Sequence, residues 1–147
     1  MNHLCRMSAV LIKGPPRDAR PLRDRRGPAR PIPGGKTTQR LCDVVALATA
    51  AAFVVPVGEL ISATRRTADV AFARQSAMYL AHVAFGLNYS KVARAFGRDR
   101  TTAAHACQLI EERRDDPAVD AVLGSLEDAC GTLRRKLSAQ IQPELLP

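Results

Sequence analysis

The sequence predicts an all-α fold: one compact helical domain of about five to six helices that contains a helix-turn-helix. Beyond residue 40, no stretch alternates apolar and polar side chains as a half-buried strand would, and apolar residues instead recur three and four positions apart. Aromatic residues make up 4% of the chain, tryptophan is absent and alanine is abundant, which favours closely packed helices. The chain has 147 residues, enough for one such domain with a tail.

A flexible basic arm is predicted for residues 1–40, before a helical domain at 41–138 and a short tail at 139–147. The arm contains ten of the 22 Lys and Arg residues, two of the 14 acidic residues and six of the ten prolines. A segment of this composition cannot bury enough apolar surface to fold, so we expect it to be disordered. Residues 41–147 contain twelve basic and twelve acidic side chains. The arm therefore accounts for the whole formal charge of +8 and favours nonspecific, salt-sensitive attraction to nucleic acid.

Three helical elements are predicted in the first half of the domain: Cys42–Val54, a short turn of helix at Pro56–Ser62, and Ala68–Phe85. The long third element is the clearest, because its apolar residues share one helical face. These residues are Val70, Ala73, Ala77, Leu80, Ala81 and Ala84. A break at 63–67 separates it from the second element, and Gly86–Asn88 ends it.

The second half has the layout of a helix-turn-helix: a short helix at Tyr89–Phe96, a turn at Gly97–Asp99 and a helix at Arg100–Arg114. Gly97 can adopt the positive φ that such a tight corner needs. In this motif the second helix enters the major groove of DNA, and its N-terminal residues reach base edges. A last helix begins at Asp116-Pro117, an N-cap followed by proline at the first helical position.

The candidate DNA-contacting residues are Arg98, Asp99, Arg100, Thr101 and Thr102, with Lys91 and Arg94 on the preceding helix and His105 one turn further on. Arginine can pair with guanine, aspartate can accept from cytosine, and threonine offers a hydroxyl and a methyl group. Lys91 and Arg94 are suited to phosphate contacts that fix register. Two alternatives stay open: Asp99 can cap the helix, and His105 can be packed or bonded to the backbone.

Two motifs carry a family resemblance. One is Val70-Ala71-Phe72-Ala73-Arg74-Gln75-Ser76-Ala77-Met78-Tyr79-Leu80, and the other is Ala95-Phe96-Gly97-Arg98-Asp99-Arg100-Thr101-Thr102 followed by His105-Ala106-Cys107. Over about residues 41 to 130 the chain resembles the C-terminal DNA-binding domain of the bacterial replication initiator DnaA, as a stand-alone protein without the ATPase. The resemblance implies that Asp99, Thr101 and Thr102 read the major groove, with Arg98 beside them. It also implies that Arg66, with Arg65 adjacent, enters the minor groove.

The chain departs from the family pattern at several of these positions. The family histidine between Asp and Thr is Arg100, which has five donors and a permanent charge. The turn is one residue shorter, because the second glycine of the family's pair is missing. Family basic positions correspond to Thr64, Ala68 and His82. We therefore expect fewer contacts to DNA phosphates than in the family, and a different preferred base sequence.

No catalytic residue, cofactor, metal site or small-molecule substrate is predicted. No acid/base pair, Cys/His couple or metal cluster has usable spacing. Gly34-Gly35-Lys36-Thr37 resembles the end of a phosphate-binding loop, but Arg30 stands where that loop needs glycine. Four cysteines (5, 42, 107 and 130) without a Cys-x-x-Cys pair indicate reduced thiols in the cytoplasm. The longest apolar run is shorter than the ~20 residues that span a membrane.

The leading functional hypothesis is sequence-specific binding of double-stranded DNA at initiator-box-like sites, in the cytoplasm on the nucleoid. It would act on replication initiation or on transcription. The alternative is a helical interaction module that keeps the fold without sequence readout and binds a protein partner through its C-terminal helix. Specific binding to a box-containing duplex over a scrambled one distinguishes the two.

Overall fold

The computed structural model describes residues 35–62 and 67–141, with side chains up to residue 139. All regular structure in these residues is helical, which confirms the predicted all-α fold. The helices are α1 (Gly35–Phe53), α2 (Val57–Ile61), α3 (Ala68–Phe85), α4 (Tyr89–Ala95), α5 (Arg100–Arg113) and α6 (Pro117–Ile141). None of these helices combines the length and apolar character needed to cross a membrane.

Helix α3 lies at the centre, and α1, α5 and α6 all pack against it. Its bounds are those predicted, and it ends at Gly86, whose φ of 65° is the left-handed conformation typical of a helix C-terminus. Ala73, Ala77 and Leu80 on this helix are fully buried. Small side chains at these positions let neighbouring helices approach closely, so the alanine-rich composition has a direct packing role.

The arm predicted for residues 1–40 ends earlier than expected, because α1 begins at Gly35 rather than at Cys42. The last proline before the helix is Pro33, so nothing in residues 35–40 prevents helical geometry. Thr38 is buried in the added turn, and Gln39 donates a hydrogen bond to the carbonyl of Ala95 at 3.3 Å. Residues 35–40 therefore belong to the helical domain, and the rest of the predicted arm lies outside the described residues.

Helix α6 also runs beyond the predicted boundary at residue 138, as far as Ile141. It begins as expected, since Asp116 accepts a hydrogen bond from the Ala118 amide at 2.8 Å. Because of the extension, Arg134, Arg135 and Lys136 lie inside the helix and not in its last turn. They are therefore too far from the C-terminal end of the helix to interact favourably with that end of the helix dipole.

Arg114 connects the end of α5 to both α6 and α3. Its guanidinium donates to Asp120 at 2.6 Å, to Glu127 at 2.7 Å and to the hydroxyl of Tyr79 at 2.9 Å. Burial disfavours the charged guanidinium, but these hydrogen bonds together raise the pKa of Arg114 above its ordinary value. Burial also raises the pKa of Tyr79. This permanently charged residue anchors the C-terminal end of α5, so the N-terminal end of the helix extends from a fixed position.

Candidate nucleic-acid interface

The helix-turn-helix consists of α4, a turn centred on Gly97, and α5. Asn88 caps α4, where its side chain accepts from the Lys91 amide at 2.9 Å. At the corner, Gly97 has a φ of 61°, and the Arg98 amide donates to the Ala93 carbonyl at 2.8 Å. This hydrogen bond closes the end of α4 around a left-handed residue, the arrangement in which glycine is favoured. One glycine is therefore enough for the shortened turn.

Asp99 caps the N-terminus of α5. Its Oδ1 accepts from the Thr102 amide and from the Thr101 hydroxyl, both at 2.7 Å. The hydrogen bond from the Thr101 side chain, followed by that from the Thr102 amide, lowers the pKa of the exposed carboxyl to about 2. The capping interpretation of Asp99 is therefore correct. Capping also fixes the two threonines, because their positions follow from the hydrogen bonds to one oxygen.

The first turns of α5 carry an exposed set of polar side chains. Arg100, Thr101, Thr102 and His105 are all exposed, as is Arg94 on α4, whereas Lys91 is half-buried. The packed alternative for His105 is wrong, since its ring is exposed at the edge of a groove. Of the predicted contact residues, Asp99, Arg100, Thr101, Thr102 and His105 lie at the start of α5, whereas Lys91 and Arg94 lie on α4.

Arg98 differs from the others, because its guanidinium is directed to the protein backbone. It is half-buried, and its Nη2 donates to the carbonyl oxygen of Ser62, at the end of α2, at 2.6 Å. This carbonyl is far away in sequence, so the pairing could not be inferred from the local motif. The Arg98 side chain therefore stabilises the turn of the motif and does not extend away from the protein.

Arg74 on α3 is a site residue to which sequence reasoning gave no role, although it is part of the quoted motif. Its Nε donates to the Leu60 carbonyl at 2.7 Å, and its Nη2 donates to the carbonyls of Glu59 at 2.7 Å and Ser62 at 3.1 Å. The last carbonyls of a helix have no partner within it, and Arg74 satisfies those of α2. The signal available in the sequence was a single arginine within a predominantly apolar helix.

An open groove of about 490 Å³ separates the start of α5 from α3. Thr102 and His105 line it on the α5 side, and Ala71 and Gln75 line it on the α3 side. Asp99 and both arginines of the corner also border it. The groove is polar and open to solvent.

Arg65 and Arg66, the predicted minor-groove residues, lie outside the described residues, as does Thr64. Two family basic positions remain, both on α3: Ala68, which carries no polar side chain, and His82, which has an internal role. Its Nδ1 lies 2.7 Å from the Leu87 carbonyl, and its ring packs on Tyr89 with centroids 4.4 Å apart. Because a carbonyl only accepts, Nδ1 carries the proton. His82 thus fastens the turn between α3 and α4.

Comparisons with known proteins agree with this geometry. Residues 42–110 match the family described as the bacterial DnaA protein helix-turn-helix. The chromosomal replication initiator protein DnaA 1 of Protochlamydia amoebophila (strain UWE25) is 41% identical over 64 residues, which are 44% of this chain and 14% of that protein. A crystal structure of a DNA replication initiation factor superposes with a TM-score of 0.60 at 26% identity, over 66% of this chain and 30% of that one.

Each relative is much longer than the segment it shares with this chain. The segment matched by the family nevertheless contains α4, the capped turn and α5 up to residue 110, the elements that build the motif. Residues 42–110 are therefore similar to the helix-turn-helix of bacterial DnaA, in agreement with the resemblance carried by the two sequence motifs.

Proposed function

We propose that this domain binds double-stranded DNA sequence-specifically, at sites related to the boxes that a replication initiator recognises. In this proposal α5 enters the major groove, Arg94 and Lys91 contact phosphates, and Arg66 with Arg65 occupies the adjacent minor groove. The observation that carries it is the capped start of α5, where Arg100, Thr101 and Thr102 are exposed. The basic residues before α1 add nonspecific attraction.

The geometry supports base reading because the threonines are held in place before DNA arrives. Their anchor, Asp99, keeps its charge far into the acidic range, so the cap persists under ordinary conditions. Pre-ordered side chains lose less conformational entropy on binding, which leaves more of the contact energy for recognition. The amides at the start of α5 also favour an adjacent phosphate.

Arg100 is the residue expected to change the preferred sequence. It is exposed beside the cap, and a guanidinium can donate two parallel hydrogen bonds to guanine. The family histidine at this position cannot form that bidentate pair. We therefore propose a site with guanine opposite Arg100, related to the family box without being identical to it.

The test uses the full chain and two labelled duplexes, one with an initiator box and one with the same bases scrambled, at two salt concentrations. Thr102→Ala and Arg66→Ala should each weaken binding to the box, with Thr102→Ala costing about 1–3 kcal/mol if it removes a good base contact. Thr132→Ala, an exposed threonine on α6, is the matched control and should have no effect. Equal binding of the unmodified chain to both duplexes would overturn the proposal.

The biological role follows from where such sites lie. Occupying initiator boxes on the nucleoid would modulate replication initiation, and occupying them near promoters would modulate transcription. Mapping the bound sites in cells by chromatin immunoprecipitation separates these roles. Enrichment at the origin supports the first, and enrichment confined to promoters supports the second.

The competing interaction-module hypothesis placed a protein partner on the final helix. Within the described residues, the large apolar side chains with the greatest exposure lie on α1, α2 and the turn between them. They are Val44, Leu47, Val54, Val57 and Ile61. On α6, Leu126, Leu133 and Leu137 instead pack against the core. The structure therefore offers no particular support for a partner surface on the final helix.

A further inference from the structure

Two arginines from different elements meet on one backbone oxygen at the corner between α2 and the helix-turn-helix. Arg98 Nη2 lies 2.6 Å from the Ser62 carbonyl oxygen, and Arg74 Nη2 lies 3.1 Å from the same atom. Arg74 belongs to the central helix α3, whereas Arg98 belongs to the turn before α5. This single acceptor therefore connects α2, α3 and the start of the second helix of the motif.

Such an arrangement has an electrostatic cost. Two like charges on one acceptor repel, and burial together with the charge of Arg98 lowers the pKa of Arg74. The carbonyls of Glu59 and Leu60, each 2.7 Å from Arg74, offset the cost through charge-assisted hydrogen bonds. The pair is therefore held by a set of bonds whose geometry allows little displacement.

Arg98 is well placed to transmit this constraint to α5. It directly precedes the cap residue Asp99, and its own amide is bonded to the Ala93 carbonyl at 2.8 Å. On the side facing α3, the first turn of α5 borders the open groove of about 490 Å³. Besides the buried Ala103 in the first turn of α5, the bond from the Arg98 guanidinium to the Ser62 carbonyl therefore connects this end of the helix to the rest of the domain.

We propose that Arg98 and Arg74 are positioning residues for DNA binding, which fix the first turn of α5 by sharing the Ser62 carbonyl. The inference rests on the proposed function, because the contacts that they would align are those of Thr101 and Thr102. Their guanidinium groups are directed to protein oxygens. They contribute through the orientation of α5 and not by neutralising phosphates.

Charge-conserving variants test the orientation directly in the full chain. Lysine keeps the positive charge but lacks the planar fork of donors, so Arg98→Lys should weaken binding to an initiator-box duplex by about tenfold. Binding to the scrambled duplex should stay unchanged. Arg135→Lys is the matched control, because this exposed arginine on α6 lies outside the proposed DNA interface. Circular dichroism of each variant verifies that helix content is retained.

The salt dependence separates positioning from phosphate contact. Removing one phosphate contact lowers the slope of log Kobs against log salt concentration by about 0.9. We expect this reduction for Arg94→Met and an unchanged slope for Arg98→Met. The combined variant Arg74→Lys with Arg98→Lys should bind little worse than the weaker single variant, because both changes disrupt the same corner.

The results of these measurements distinguish positioning from direct contact. Loss of discrimination in Arg98→Lys with an unchanged slope in Arg98→Met supports positioning. Discrimination kept by both the unmodified chain and Arg98→Lys overturns this inference while the proposed function stands, and so does a reduced slope in Arg98→Met. Equal binding of the unmodified chain to both duplexes overturns the proposed function, and this inference with it.

Discussion

Replacing Arg114 by methionine tests how the far end of α5 is supported. The change removes the hydrogen bonds to Tyr79, Glu127 and Asp120 while keeping much of the side-chain volume. Arg114 and Glu127 expose 22% and 25% of their side chains, so their bond belongs to the stronger charged class, worth about 1.5–3 kcal/mol. Asp120 is 51% exposed, so its ion pair adds at most about 1 kcal/mol.

With the bond to the buried Tyr79 hydroxyl, worth about 1 kcal/mol, Arg114→Met should lower the free energy of unfolding by about 3 kcal/mol. Urea unfolding followed by circular dichroism measures it, with the dependence on urea unchanged. Lys136→Met, exposed on α6, is the control and should change stability by less than about 0.5 kcal/mol. A loss below about 1 kcal/mol in Arg114→Met would refute the view that this centre anchors α5.

Three further predictions concern the turn, the cap and the thiols. Gly97→Ala should destabilise the domain by about 1 kcal/mol in the same urea assay. A Cβ at this position would meet open space, but the φ of 61° is strained for any residue with an L side chain. An unchanged free energy of unfolding would contradict the left-handed turn. Because the folded-state pKa of Asp99 is lowered to about 2, its stabilisation is present above about pH 4 and is lost as the pH falls towards 2. Asp99→Ser should therefore make stability depend less on pH over that interval, and an unchanged profile would argue against the cap. Burial raises the pKa of Cys42 to about 12 and also raises the pKa of Cys130, and Cys107 is buried as well. A chain with Cys5→Ser should therefore react with Ellman's reagent only after denaturation. Fast labelling of the native protein would contradict the burial of these three thiols.

Local signals predicted much of the fold. The long helix was predicted with its observed bounds, because its apolar spacing is regular and Gly86 supplies a stop that few other residues could. The cap at Asp99 and the corner at Gly97 were also predictable, since each depends on a few neighbouring residues and on backbone geometry. Elements that are determined by short-range interactions can therefore be predicted from the sequence alone.

Contacts between distant residues were not readable in this way. Helix α1 begins at Gly35 because Thr38 is buried against the domain, a tertiary effect that the basic, proline-rich context concealed. Arg98 looked like a base-contacting arginine, and only the position of the Ser62 carbonyl reveals its bond to the backbone. Arg74 had no predicted role for the same reason. An arginine's sequence neighbours do not determine which acceptor its side chain reaches.

The central claim is that the start of α5 reads DNA sequence, and selection from a random duplex library with the full chain tests it most directly. We expect enrichment of one related set of sequences, which resembles an initiator box with guanine opposite Arg100. An Arg100→His variant should shift the enriched set towards the family box, because it replaces the bidentate guanidinium by a ring. Enrichment of no sequence by the unmodified chain would show that the start of α5 does not read DNA sequence.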